Sequence, residues 1–137
     1  MRELHDNIDV KRGISPAANT PFVSQTLDMQ GVSSAEFIIL CGALTDADAT
    51  FTVLAEEGEN PALSDNTAVD DRDLLGLETQ AGFDFSADNK VFKLGFRPSG
   101  KRYKRVTITP ANNTGNAFVA GVWVTRPLFA PTPNPPV

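Results

Sequence analysis

Histidine and cysteine are almost missing from this 137-residue chain, which holds one of each, His5 and Cys41. A single cysteine excludes an internal disulfide. One of each residue is too few for an ordinary zinc site, which draws on several Cys or His ligands. His5 lies in a polar N-terminal segment and no Gly-x-Ser-x-Gly occurs, so no nucleophile, base and orienter assemble by motif. Cys41 closes the apolar run Phe37-Ile-Ile-Leu-Cys41 and reads as a small buried hydrophobe. No apolar run approaches the roughly 18 residues of a membrane span. The opening Met1-Arg-Glu-Leu-His-Asp has no apolar signal region, so the expectation is synthesis and use in a cytosolic setting. A glycine-rich phosphate loop is also lacking.

Acid is absent from one stretch. After Asp88 come 49 residues without a carboxylate side chain but with Lys90, Lys93, Arg97, Lys101, Arg102, Lys104, Arg105 and Arg126. All 17 acids fall in the first 88 residues, beside only four bases, and the whole chain carries −5. That net charge argues against a general nucleic-acid binder. The length predicts one domain with a real core, and the 41% hydrophobic content lies in the globular range.

What the chain does have is short strand patterns separated by turns. Residues 1–20 are polar, broken by Gly13 and Pro16, and read as an arm or an edge strand. Residues 21–28 suggest a first strand. Over 34–44, Phe37, Ile39 and Cys41 share one face and Ile38 and Leu40 the other, which predicts a central strand. Phe51, Val53 and Ala55 alternate with polar residues as in a half-buried strand. Residues 57–73 are acidic and mostly loop, and Asp70 to Leu77 reads as one helical turn or a short strand. Further strands are expected at Phe83–Phe85, at Lys90–Phe96, from Arg102 to a stop at Pro110, and over 116–125. Turn signals stand at Pro98-Ser-Gly100 and Asn112-Asn-Thr-Gly115. The expected architecture is an all-β, single-domain sandwich, jelly-roll-like, spanning 21–126. Residues 127–137 hold five prolines and read as an extended tail.

Candidate sites are few. Asp46-Ala-Asp48 and Asp70-Asp-Arg-Asp73 resemble fragments of calcium loops, but lack the remaining ligands and read as turns and solvated charge. The run Lys90–Arg105 holds seven bases with Phe92, Phe96 and Tyr103 interleaved. Nucleic-acid stacking is one reading. A solvated strand face, or contact with acids of another copy or an acidic partner, fits an acidic chain better. Trp123 and Tyr103 read as core aromatics, with a carbohydrate platform as the alternative.

Leu4-His-Asp-Asn-Ile-Asp-Val-Lys-Arg, Gln30-Gly, Phe37-Ile-Ile, Leu44-Thr-Asp-Ala-Asp-Ala-Thr-Phe-Thr-Val-Leu-Ala-Glu-Glu-Gly, Lys93-Leu-Gly, Gly100-Lys-Arg-Tyr and Arg105-Val-Thr-Ile-Thr-Pro-Ala-Asn-Asn-Thr-Gly stand in that order. With the proline-rich end, they resemble small structural proteins encoded among the head genes of tailed bacteriophages and prophages. The resemblance covers nearly the whole chain. Members of that family often carry His-Pro-x-His before the terminal prolines; here the stretch is Arg126-Pro-Leu-Phe-Ala-Pro, so no role of those histidines transfers.

The resemblance implies a non-enzymatic virion protein without a cofactor. Its expected role is capsid decoration (cement), with the major capsid protein and further copies of itself, as a homotrimer, for partners. Neither membrane nor nucleic acid is an expected partner. It would be made in the host cytoplasm and act on the capsid surface. The alternatives are a head–tail connector or tail component, and a carbohydrate-binding module for host attachment. Candidate interface residues are Arg97, Lys101, Arg102, Lys104 and Arg105 in the basic run, and Pro127, Phe129, Pro131 and Pro133 in the tail.

Overall fold

The computed structural model describes residues 3–19 and 22–133. It is a β-sandwich of two antiparallel sheets. In chain order the strands are β1 (Asp9–Ala18), β2 (Phe22–Val23), β3 (Leu27–Asp28), β4 (Val32–Leu44), β5 (Thr50–Gly58), β6 (Thr67–Ala68), β7 (Leu74–Leu75), β8 (Phe83–Asp84), β9 (Val91–Phe96), β10 (Tyr103–Ala111) and β11 (Ala117–Pro127). A 3₁₀ turn (Asp71–Asp73) precedes β7, and one helical turn, α1 (Glu78–Ala81), follows it. One sheet has the order β1-β11-β4-β9-β7; the other runs β2-β10-β5-β6, with β3 also on β10 and β8 on β5.

β4 is central in the five-stranded sheet, between β11 and β9, as its two apolar faces require. The inner faces follow period two. Phe37, Ile39 and Cys41 of β4, Val119 and Trp123 of β11, Phe51, Val53 and Ala55 of β5, and Val106 and Ile108 of β10 are all buried. Full burial of each large side chain contributes about 1.5–3 kcal/mol. Trp123 is the hub of the five-stranded side. Its ring meets Phe37 and Phe96 edge-on at 4.7 and 5.2 Å, and its Nε1–H donates to Gln25 O at 3.0 Å. Phe51, Phe83 and Phe92 stack in series across the core. Gly13 and Gly121 flank the Phe37 ring so closely that a Cβ at either would collide with it.

Several sequence expectations change in detail. The strand expected over 21–28 is two short strands, β2 and β3; between them the Ser24 N–H donates to Val106 O at 2.8 Å, while the Val106 N–H is received by the Ser24 hydroxyl at 2.9 Å and not by a backbone carbonyl. Pro110 does not stop β10; it pairs with Phe51 one residue from the end of the strand, where proline is tolerated. Asp70 to Leu77 contains both readings left open, a 3₁₀ turn capped by Asp70 and then strand β7. Phe85 lies outside the two-residue strand β8 and is exposed.

Residues 9–18 form an edge strand paired along β11 except at two irregularities, and Ile14 reaches the core. Two register breaks, Pro16, Lys11 and Arg12 protect that edge from strand addition. The segments around Asp6 and Thr132 meet. The Thr132 N–H donates to Asp6 O at 3.0 Å and its hydroxyl to Ile8 O at 2.6 Å, beside the turn that starts at Leu4. Pro135 and Pro136 of the tail lie outside the described residues.

Candidate functional site

The basic run extends from the start of β9 through the following turn into β10, and three of its seven bases, Arg102, Lys104 and Arg105, are paired with acids of the same copy. The antiparallel register puts Lys104 opposite Glu57 and Arg105 opposite Glu56. Arg105 Nη2 donates to Glu56 Oε2 at 2.7 Å, and Thr107 Oγ1 donates to Glu56 Oε1 at 2.5 Å. Burial pushes the Glu56 carboxyl up, but the bonds from Arg105 and Thr107 outweigh it and leave the group below its ordinary value. Arg102 forms a two-pronged pair with Asp28, both contacts at 2.8 Å, and its guanidinium lies 5.0 Å over the Tyr103 ring. The Arg102 bond, working against slight desolvation, holds Asp28 low.

Lys104 corrects the sequence reading outright. It points inward with Val106 and Ile108, is fully buried, and donates to Glu57 at 2.5 Å and to Ser99 O at 2.9 Å. It has no surface to offer a partner. Lys101 is half-buried: its N–H donates to Glu57 and its Nζ to Thr67. Arg97 is exposed, with its backbone N–H bonded to Asp73 O. Arg102 and Arg105 have their charges answered locally. The division of charge along the sequence is therefore in good part a device for pairing β10 with β5 and β3.

Other sequence candidates resolve simply. Asp46 accepts the Thr114 and Gly115 N–H groups and the Thr114 hydroxyl, tying the β4–β5 turn to the β10–β11 turn. A bond from Asp48 first, then those from Thr114, hold its carboxyl well below the usual range. Burial, with Asp88 nearby, pushes the Cys41 thiol up to about 11, which makes it inert. His5 lies at the other end of the sheet from Cys41, in the exposed turn before β1. The Trp123 indole is 1% exposed and cannot be a carbohydrate platform. Tyr103 is half-buried beneath Arg102.

The face that is open is one that charge reasoning passed over. On the outside of the five-stranded sheet, Val10 lies opposite Val124, Ile38 opposite Val122, and Leu40 opposite both Ala120 and Val91. Leu40 is 52% exposed and Val91 59%, with Phe118 and Val122 also exposed. Arg12 and Lys93 flank the Val122–Ile38 row on the neighbouring strands, Glu36 stands within the face on central β4 between Val124 and Gly95, and Arg126 lies beyond Val124 on β11. Glu36 is pushed up by desolvation, against a smaller opposing pull from Lys93. At the Phe118 end the face dips into a groove of about 440 Å³ between β1, β4 and β11. The sequence signal was present, since Ile38 and Leu40 occupy the second face of β4 and Phe118, Val122 and Val124 the second face of β11. Of the tail candidates, Phe129 is 84% exposed, Pro131 and Pro133 are exposed, and Pro127 is half-buried as the last residue of β11.

No protein-family model matches the chain, and no curated protein matches it. Among solved structures it is similar to the SPBc2 prophage-derived protein YomS, with TM-score 0.47 and 12% identity over 86% of this chain and 93% of that one. It is also similar to the CBM22-1–GH10 modules of Clostridium thermocellum xylanase 10B, solved with xylohexaose, with TM-score 0.44 and 11% identity. That match covers 89% of this chain and 26% of the xylanase chain.

Proposed function

We propose that this chain is a non-enzymatic structural protein of a phage particle that decorates the capsid and holds neighbouring shell subunits together. The observation that carries the reading is the apolar outer face of the five-stranded sheet. A protein that works alone in solution has little use for Leu40, Val91, Phe118 and Val122 in adjoining rows on one flat surface. A protein that spends its working life against other subunits has every use for them. The head-gene resemblance of the sequence supplies the setting. The winding fits as well: the chain alternates between the sheets, β1 to β2, β4 to β5 and β9 to β10 to β11, in the manner of a jelly roll.

The mechanism is mass action. A protein that binds the assembled shell and not its free subunits stabilises the shell by its binding free energy. Repetition over a symmetric surface lets modest contacts accumulate. The major capsid protein is the partner, and a homotrimer is the form that binds. The contact surface moves from the basic run to the sheet face, because Arg102, Lys104 and Arg105 are engaged within the copy.

Counting copies in a cryo-EM reconstruction of the particle tests this reading. Hundreds of copies, with the five-stranded sheet turned toward the shell, are expected. A ring of about six to twelve copies at one vertex would make the protein a connector instead.

A further inference from the structure

The chain carries a strongly exposed apolar tip and an open apolar groove, and cannot bring the two together. Leu128 is 61% and Phe129 84% exposed, just past the end of β11. The groove lies at the other end of the same strand, between Pro16 and Ala18 of β1, Leu40 and Gly42 of β4, and Phe118 and Ala120 of β11. From Phe118 to Pro127 the strand covers about 30 Å at roughly 3.3 Å per residue. Phe129 adds at most about 7 Å of chain. Its segment is also pinned on both sides. The Leu128 N–H donates to Gly31 O at 2.9 Å, and Thr132 is bonded to Asp6 and Ile8. The tip therefore projects from one end of the sandwich while the groove opens at the other.

We propose that this groove receives the Leu128–Phe129 tip of a second copy. The chemistry matches on both sides. Residues 127–131, Pro-Leu-Phe-Ala-Pro, carry no charge. Among the described residues lining the groove, Asn89 alone has a polar side chain besides the buried Cys41 thiol. Gly42 keeps the floor open, since a Cβ there would stand 3.2 Å from the Phe118 Cβ. The half-exposed Phe118 ring offers an aromatic surface for Phe129. Entropy favours the tip as well, because Pro127, Pro131 and the three pinning bonds hold it before any partner arrives. Donor and acceptor sit at opposite ends of one strand. The contact is met reciprocally in an antiparallel pair or head to tail in a closed ring.

The test is sedimentation of the purified full-length chain over a concentration series, with Phe129→Ala and Ala120→Glu. Wild type is expected to associate, and each variant to associate at least about tenfold more weakly. A one-to-one mixture of the two variants is then expected to form a heterodimer, since one keeps the groove and the other keeps the tip. Wild type that stays monomeric up to about 1 mM overturns the proposal. So does a mixture that stays monomeric, or a Phe129→Ala variant that associates like wild type. Association lost in Ala120→Glu but kept in Phe129→Ala means that the faces meet without the tip. Both changes lie on the surface; Leu128→Ala with Leu40→Glu repeats the pair if either variant unfolds. The assay contains no capsid, so its outcome is independent of shell binding.

Discussion

On the outer face of the six-stranded sheet, Arg105 lies opposite Glu56 and Thr109 opposite Thr52. On the outer face of the five-stranded sheet, Val122 lies opposite Ile38 and Ala120 opposite Leu40. Both sheets enclose the same core and both alternate with period two. They differ in what their second faces are made for. The six-stranded side answers most of its charge from within, although Arg105 Nε is buried without a partner and Val23 and Leu54 stand exposed beside Thr107. The five-stranded side leaves apolar surface in water, a cost that a monomer does not recover. The chain is finished on one side and unfinished on the other, and the unfinished side is where its function is to be sought.

The sharpest way to break the finished side is at Lys104. Replacing it with Ala strands the Glu57 carboxylate beneath the sheet, its remaining bond being to the Lys101 N–H. Breaking a buried pair in this way costs about 3–5 kcal/mol. Urea unfolding of Lys104→Ala should show that loss. The double change Lys104→Met with Glu57→Met should recover most of it, because removing both charges leaves no unpaired group. A double variant as unstable as the single one would mean that the pair is worth more than its desolvation.

Next comes Arg105→Ala on the outer face of the same sheet. It removes a charge-assisted bond of about 1.5–3 kcal/mol and leaves Glu56 to Thr107 alone. The same pair sets a pH dependence. The folded-state value of Glu56 lies below its ordinary 4.5, so the folded form binds its proton less tightly than the unfolded chain. Its contribution is therefore full above about pH 4.5 and lost as pH falls through the lower folded value. Arg105→Ala should lessen the acid sensitivity of unfolding as well as the stability at neutral pH.

Glu36 on the open sheet runs the other way. Its folded value is raised by desolvation, so its favourable share is complete below 4.5 and is lost as pH rises through the folded value. Glu36→Gln should give a small gain in stability at pH 7 that vanishes near pH 4, read from melting curves at the two pH values. A partner covering this face would desolvate Glu36 further, so binding should strengthen as pH falls toward 5.

The sequence showed the sandwich clearly because strand alternation and turn residues are local signals. It placed Phe37, Ile39 and Cys41 inward and β4 at the centre for that reason. Pairing between distant segments is not local. Arg102 with Asp28 and Arg105 with Glu56 depend on register, and a charge map along the chain cannot see register. Lys104 was readable after all, since it shares the parity of Val106 and Ile108, but a lysine in an inward position looks like a surface residue until its partner is known. The open face was hidden by a true inference carried too far. A strand apolar on both sides is central in its sheet, yet the fold itself covers only one of those sides. β4 has β11 and β9 beside it and the core beneath it, while Ile38 and Leu40 look outward.

The smallest effect on folding should come from the residues that the proposed role puts at the contact. Leu40, Val91 and Val122 are about half exposed, so replacing one with a polar residue removes little buried area from the monomer. Leu40→Lys and Val91→Lys should each change unfolding free energy by no more than about 0.5 kcal/mol. At an interface the same lysine has to be desolvated opposite an apolar partner, and truncating a well-packed anchor commonly costs about 2 kcal/mol or more of binding. The pair should therefore melt like wild type yet fail to occupy shells, read by co-sedimentation with particles lacking the protein. The matching change on the other sheet, Thr52→Lys, should leave both quantities unmoved. If Thr52→Lys abolished occupancy and Leu40→Lys did not, the working face would be the six-stranded one, and the contrast between the sheets would have to be read in reverse.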